Sequence, residues 1–207
     1  MSKLSHALSL LTCGEYLALD EGVFRGCRGV TTQPKPKHVA CYSTWKPQNS
    51  WFFTLIKGER GTVVYCHEPD KAYQASPAAR LGPECPLHTA FLCQWCVDQC
   101  KEGAVPHLLV FDVAEFSQGV AGPTERNAAE RGERLRALAR HLPLPLCVVQ
   151  WAGEVGALDQ FVKCLPHRVE CFLGLSEDPF CMYRHMHVSI PPSAYGASPI
   201  VFLGEAL

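Results

Sequence analysis

Short apolar or alternating runs recur along the chain, and Pro and Gly residues separate them, most clearly in ASPAARLGPECP at 75–86. Runs of this kind, enriched in β-branched and aromatic residues, predict β-strands. The predicted strands are Trp51–Ile56, Thr62–Cys66, Thr89–Val97, His107–Val113, Leu146–Trp151, Arg168–Leu175, Met182–Ile190 and Pro199–Leu203. Residues 22–50, rich in Gly, Pro, Thr and Lys, are predicted to form an irregular segment.

Three segments instead place apolar residues at the spacing of a helix. The first carries Leu4, Leu8 and Leu11 on one face, and the third spans Gly153–Leu165. The second is predicted to begin after Thr124 as the N-cap, to end before Pro143 and to expose its charged residues to solvent. Its apolar face comprises Ala128, Leu135, Leu138 and Leu142. Adjacent strands with helices between them predict an α+β fold of mainly antiparallel sheets with flanking helices.

Composition narrows the class of protein. Of the 207 residues, 47% are hydrophobic and 19% are charged, which is typical of a globular protein. The net charge of −1 gives no overall attraction to nucleic acid, so any such binding must depend on a local basic surface. No apolar run approaches the roughly 18–20 residues of a membrane span, so no membrane partner is expected.

The chain contains 12 cysteines, and most of them lie inside apolar runs, as Cys66, Cys147 and Cys171 do. Free cysteine behaves in such positions as a small buried hydrophobe. The N-terminal apolar run is short and interrupted, so we expect a structural helix there rather than a signal peptide. The sequence therefore predicts unpaired core cysteines in a reducing compartment.

Residues 22–58 contain no acidic residue and combine cations with aromatic side chains. Cations for phosphates and aromatic faces for bases are the combination that binds single-stranded nucleic acid. The candidate RNA-binding residues lie in this segment, apart from Arg60, which lies just after it. They are Arg25, Arg28, Lys35, Lys37, Tyr42, Trp45, Lys46, Lys57 and Arg60. The alternative is a solvated loop beside buried strand aromatics.

Two further groups of residues have the composition of metal sites. The first comprises Cys85, His88, Cys93, Cys96 and Cys100. A zinc site there is disfavoured because Cys93 and Cys96 lie in a predicted strand, where residues three apart point to opposite faces. In the second group, His185 and His187 share a strand face, but no carboxylate follows to complete a metal site. No metal and no cofactor are therefore predicted.

Three stretches of the chain resemble the nucleotidyltransferase domain of RNA capping guanylyltransferases and nucleic-acid ligases. Leu55–Arg60 lies where that family has K-x-D-G-x-R, His107–Val113 matches its hydrophobic-FD-hydrophobic strand, and Val169–Gly174 resembles its later acidic strand. The likeness covers about residues 50–204. It implies a nucleotide cleft containing Phe111, Asp112 and Glu170.

The same comparison implies that the catalytic apparatus is absent. Leu55 occupies the place of the nucleophilic lysine, and leucine has no group that can attack a phosphate. The K-x-K strand has no counterpart in PIVFLGEAL, and we expect no OB-fold lid. The chain therefore resembles a pseudoenzyme with no catalytic residues, and an active nucleotidyltransferase using Lys57 is the least favoured alternative.

The cap-binding domain of snurportin is similar in its tryptophan, its short strand and its G-x-R turn without the lysine. The cysteine-rich, degenerate character also resembles an accessory subunit of a nuclear cap-binding complex such as that of trypanosomatids. These likenesses imply non-catalytic binding of a capped or spliced-leader-like RNA, a nuclear location and at least one protein partner. The alternative is a protein-interaction subunit whose cleft is only structural. We expect residues 1–49 to precede a nucleotidyltransferase-like domain at 50–207.

Overall fold

The computed structural model describes residues 3–16, 38–41, 52–66, 71–100, 103–115, 127–144, 146–149, 153–154, 171–175, 187–189 and 201–203. In chain order, the helices and strands in these residues are α1 (Lys3–Leu11), β1 (Thr12–Tyr16), β2 (His38–Cys41), β3 (Phe52–Gly58), β4 (Gly61–Cys66), β5 (Lys71–Ala75), β6 (Thr89–Cys100), β7 (Gly103–Glu115), α2 (Ala128–Leu138), β8 (Cys147–Val149), β9 (Gly153–Glu154), β10 (Cys171–Leu175), β11 (His187–Ser189) and β12 (Val201–Leu203).

These strands form two sheets. The larger has the order β1-β5-β4-β3-β6-β7-β8, and all its pairs are antiparallel except β7 with β8. The smaller has the order β12-β11-β10-β2-β9 and is antiparallel. The predicted α+β class with mainly antiparallel sheets is therefore confirmed.

The larger sheet is buried on both faces. On one face Leu55 and Phe91 join a core cluster that also contains Leu11 of α1 and Leu135 of α2. On the other face alternate residues are buried as well, among them Thr54, Ile56, Tyr65, Leu92 and Leu109. Burial on both faces explains why these strands read as continuous apolar runs in the sequence rather than as apolar–polar alternation.

Most of the predicted strands are confirmed, with boundaries shifted by a few residues, but three strands were missed. Residues 12–16 form β1 directly after α1, and residues 38–41 form β2 inside the segment predicted to be irregular. The third is β5, whose sequence KAYQA shows no strand pattern, since only Ala72 and Ala75 are buried and both are small. The missed strands gain their stability from long-range pairing, β1 with β5 and β2 with β10.

Two predictions about helices were wrong in part. Asn127, not Thr124, is the N-cap of α2: its side chain accepts a hydrogen bond from Glu130 N, and the Glu130 carboxylate accepts one from Asn127 N. This reciprocal capping box sets where the helix begins. Gly153 and Glu154, predicted to begin a helix, form β9 instead because they pair with β2.

None of the five cysteines whose side chains are described forms a disulfide, as predicted: Cys66, Cys85, Cys93 and Cys147 are buried, and Cys13 is exposed. None of the helices in the described ranges is long and apolar enough to cross a membrane.

Candidate functional site

The β3–β4 hairpin closes on a two-residue turn, Glu59 and Arg60, both exposed to solvent. Gly61 has φ +119°, a backbone conformation that favours glycine, and a Cβ on Gly58 would lie 3.2 Å from Gly61 O. Leu55 has no exposed surface and packs in the core cluster. The residue at the place of the family's nucleophile is therefore enclosed in the hydrophobic core.

The loop of residues 80–89 lies against the turn end of this hairpin. It contains two tight turns, in which Cys85 N donates to Gly82 O at 3.1 Å and Thr89 N donates to Pro86 O at 3.3 Å. His88, within the second turn, has φ 64°, and its N donates to Lys57 O at 2.7 Å. Residues 80–89 are thus fixed to β3 by backbone contacts.

The same loop also joins the hairpin to the end of α2. Gly82 N donates to His141 O at 2.7 Å, in the 3-10 turn that follows α2. The approach is close, because a Cβ on Gly82 would lie 3.3 Å from His141 Nδ1. On the hairpin side, Lys57 Nζ donates to Gly82 O at 3.0 Å, and Leu81 N donates to Thr62 Oγ1 at 2.9 Å. Gly82 therefore connects three parts of the chain that are distant in sequence.

Polar side chains converge where these parts meet, and we call them the hairpin-end cluster: Lys57, Thr62, Cys85, Thr89 and Arg134. Lys57 pairs with Thr62 across β3 and β4. The register that pairs Ile56 with Ala90 places Thr89 opposite Lys57 on the other side. Lys57 and Arg134 are half-buried, whereas the other three members are enclosed.

The Cys85 thiol lies within the electrostatic influence of both cations. Burial raises the pKa of this thiol, and the charges of Lys57 and Arg134 act in the opposite direction. The Thr89 hydroxyl also faces the thiol, where it favours the thiolate and lowers the pKa. Even so, Thr89 Oγ1 has no hydrogen bond of good geometry within the described residues, although its side chain is fully buried. The cluster thus contains two positive charges, a buried thiol and the enclosed hydroxyls of Thr62 and Thr89.

A second polar group lies deeper, between α2 and β7. Arg131 Nε donates to Asp112 Oδ1 at 2.9 Å, and both side chains are almost entirely enclosed. Val113 N donates to the same oxygen at 2.9 Å, while Asp112 Oδ2 has no partner in the part of the chain that the structure describes. Burial raises the pKa of Asp112, and Arg131 opposes that rise. This ion pair fixes α2 to the sheet.

The ion pair corrects one prediction about α2. The charged residues of the helix were expected to form a solvent-exposed face, yet Arg131 is 1% exposed. An arginine tolerates such a position because the carboxylate of Asp112 neutralises it. No sequence pattern indicates this, because Arg131 stands among other charged residues in AAERGERLRAL.

Few of the candidate site residues lie within the described part of the chain. Lys57 and Arg60 lie at the hairpin, and Phe111 and Asp112 are buried in β7, with Asp112 held by Arg131. The other candidates lie outside the described residues: Arg25, Arg28, Lys35, Lys37, Tyr42, Trp45, Lys46 and Glu170. Sequence reasoning missed Arg134 and Thr89, because only the fold brings them to Lys57.

The candidate zinc ligands lie on β6 and in the loop before it. Because β6 is continuous from Thr89 to Cys100, positions 93 and 96 lie on opposite faces of the sheet. Cys93 belongs to the hydrophobic core cluster, and burial raises the pKa of its thiol well above its ordinary value. Among the described residues, no three His, Cys, Asp or Glu side chains are grouped closely enough to hold a metal ion.

No protein-family model matches the sequence. No curated protein matches it significantly either.

Proposed function

We propose that this protein binds the 5′ end of an RNA, capped or spliced-leader-like, without catalysing a reaction. The proposed scaffold is a degenerate nucleotidyltransferase-like domain. The observation that carries the proposal is the β3–β4 hairpin. In this hairpin Leu55 is enclosed in the core, whereas Lys57 is half-buried and its amine donates to Gly82 O. A leucine there supplies no nucleophile, whereas a lysine amine two residues later attracts phosphate.

Lys57 suits phosphate binding because no acidic side chain in the described ranges neutralises its charge. Its ammonium donates one hydrogen bond to Gly82 O, and no carboxylate pairs with it within the described ranges. An ammonium group has three donors, so two remain for a ligand. Arg60 is exposed in the adjoining turn and adds a second cation on the same hairpin.

We propose that aromatic residues of the segment 22–58, which contains no acidic residue, bind the methylated guanine base of the cap. A methylated guanine is positively charged, and stacking it on Tyr42 or Trp45 would contribute roughly 0.5–2 kcal/mol of cation–π energy. Phosphate contacts alone carry no preference for a cap, so the base contact must supply the preference. We further propose that the protein acts in the nucleus with at least one protein partner.

The test is fluorescence anisotropy of one short RNA, with and without a methylguanosine cap, titrated with the full chain. We expect tighter binding of the capped form. Lys57→Ala should weaken both RNAs without unfolding the protein, whereas Lys71→Ala, at the far end of the sheet, should have little effect. Trp45→Ala should reduce the preference for the cap. Equal binding of both RNAs would refute cap recognition, and no binding would refute the RNA function.

A protein-interaction subunit is the second candidate function. Leu87 is 48% exposed and Leu144 77% exposed. Contiguous exposed apolar side chains mark docking surfaces, and we propose these two leucines as members of such a surface. If RNA does not bind, Leu144→Ser should abolish association with a co-purifying subunit while leaving the fold intact. Transfer of labelled nucleotide to Lys57 would instead establish an active nucleotidyltransferase.

A further inference from the structure

We propose that three exposed arginines, Arg60, Arg80 and Arg140, form a surface that binds the phosphodiester backbone of the RNA beyond its 5′ end. We call this surface the arginine rim, and it lies where the β3–β4 hairpin, the 80–89 loop and the turn after α2 meet. That the polyanion is RNA rests on the proposed function. Arg80 and Arg140 belong to no sequence motif, and the fold brings them to the hairpin.

One hydrogen bond joins the hairpin to the 80–89 loop next to two of the arginines. Leu81 N donates to Thr62 Oγ1 at 2.9 Å. Arg80 directly precedes Leu81, and Arg60 precedes Thr62 by two residues. With about 3.8 Å between consecutive Cα atoms, the Cα atoms of Arg60 and Arg80 lie within roughly 15 Å of each other. Two long side chains at this separation can contact phosphates of one RNA strand.

The turn after α2 brings the third arginine to the same loop. Gly82 N donates to His141 O at 2.7 Å, and Arg140 directly precedes His141. Arg140 Nε donates to His141 Nε2 at 3.3 Å, which leaves the other N–H groups of the guanidinium for a ligand. The nitrogen that accepts this bond carries no proton, so it does not neutralise the charge of Arg140.

The joined segments carry an excess of positive charge. No carboxylate pairs with the three exposed arginines in the part of the chain that the structure describes. Residues 57–62, 80–89 and 139–142 together contain four cations and two acids, namely Lys57, Arg60, Arg80, Arg140, Glu59 and Glu84. The net charge of the whole chain is −1, so this local excess is the kind of surface through which such a chain can attract a polyanion.

The position of the arginine rim favours RNA as its ligand. The segment 22–58, which contains no acidic residue and carries the proposed base-binding aromatics, leads through β3 into the hairpin turn. A guanidinium binds a phosphate through two parallel charge-assisted hydrogen bonds, so arginine suits a sugar–phosphate backbone. Such contacts carry no sequence preference, and the rim should therefore bind the RNA next to the cap whatever its sequence.

The first experiment measures the affinity of the full chain for a capped RNA of about ten nucleotides by fluorescence anisotropy at several KCl concentrations. Each phosphate contact with a single strand contributes about 0.7 to the slope of log Kd against log salt concentration. Arg80→Gln and Arg140→Gln should each lower this slope by about 0.7 and weaken binding about threefold to tenfold. The charge-matched control is Lys71→Gln, an exposed cation opposite Cys66 at the far end of β4, and it should leave the slope unchanged.

Conservative variants separate a phosphate contact from a structural role. Arg80→Lys and Arg140→Lys keep the positive charge, so they should keep the slope while losing the bidentate geometry. Urea denaturation of every variant should give the midpoint of the unchanged protein, because both side chains are exposed. If the lysine variants lower the slope as much as the glutamine variants, the phosphate contacts are overturned.

The outcomes separate the arginine rim from the proposed function, once the same titrations are repeated with uncapped RNA. If the capped RNA binds more tightly and both glutamine variants keep the full slope, the rim is overturned and the proposed function remains. If both RNAs bind equally and the glutamine variants lower the slope, the rim is supported and cap recognition is refuted. If neither RNA binds, both are overturned.

Discussion

Arg131 and Arg134 lie three residues apart on the same helix and have opposite surroundings. Arg131 is enclosed and paired with Asp112 at 2.9 Å, while Arg134 is half-buried and approaches the Cys85 thiol beside Lys57. One guanidinium is neutralised by a carboxylate of the sheet, whereas the charge of the other acts on the Cys85 thiol. Identical side chains on one helix thus differ because of what the sheet and the loop present to them: the first pairs with a buried carboxylate and holds the helix in place, and the second lies half-buried near a buried thiol.

The largest expected effect tests the enclosed pair. Asp112→Ala leaves Arg131 buried without its counter-charge, so the free energy of unfolding should fall by roughly 3–5 kcal/mol. Urea denaturation followed by circular dichroism measures the change. The double variant Asp112→Leu with Arg131→Met is the control, and it should recover most of the loss because no charge is left unpaired. A loss below about 1 kcal/mol for Asp112→Ala would show that the pair does not hold α2.

The next largest effect is expected in the 80–89 loop, which Gly82 joins to the turn after α2. Gly82→Ala places a Cβ 3.4 Å from His141 Cα and 3.3 Å from His141 Nδ1, so the loop must move away from the turn after α2. Overpacking of this kind costs roughly 1–3 kcal/mol.

The Asp112–Arg131 pair should remain intact in Gly82→Ala, so the loop should open more often while α2 stays in place. Urea denaturation measures the free energy of unfolding, and the rate at which iodoacetamide alkylates Cys85, which is 3% exposed, measures opening of the loop. An unchanged alkylation rate would show that the contact of Gly82 with His141 does not hold the loop.

A smaller effect contrasts two buried thiols. Burial raises the pKa of Cys147 from 9.0 to about 12, with no cation to oppose it, whereas Lys57 and Arg134 oppose the rise at Cys85. Because the folded pKa lies above the unfolded one, the contribution of Cys147 to stability is complete below pH 9.0 and declines towards pH 12.

Between those values the unfolded state releases a proton that the folded state keeps. The free energy of unfolding should then fall by at most about 1.4 kcal/mol per pH unit for this thiol. Urea denaturation across that range gives the slope. Cys147→Ala should make it shallower, and an identical slope in that variant would refute the assignment.

The smallest effect lies at the second turn of the 80–89 loop. His88 has φ 64°, a conformation that costs an L-residue about 1 kcal/mol relative to glycine. His88→Gly should therefore stabilise the protein by less than about 1 kcal/mol, and His88→Ala, which keeps the unfavourable conformation, should not. Urea denaturation of both variants measures their free energies of unfolding. If His88→Ala is at least as stable as His88→Gly, residue 88 is not strained.

The sequence predicted the fold class and the strands that are buried on both faces, because continuous apolar runs such as TLI and VVY mark them directly. It missed β5 and β2, whose residues are stabilised by partners distant in sequence. It identified Lys57 from the motif-like turn but not Arg134 or Thr89. Those residues carry no motif, and they become neighbours of Lys57 only through the register of β3 with β6 and the contact of Gly82 with His141.

The order of strands has a consequence for how the molecule assembles. The β3–β4 hairpin is local in sequence, so it can form early, whereas β1 pairs with β5 only after the chain between Tyr16 and Tyr73 has closed into a loop. We therefore expect the β1 edge of the larger sheet to be completed late in folding. Substitutions that weaken only the pairing of β1 with β5 should then leave the folding rate nearly unchanged and speed unfolding instead. This edge would set how long the native protein persists rather than how fast it forms.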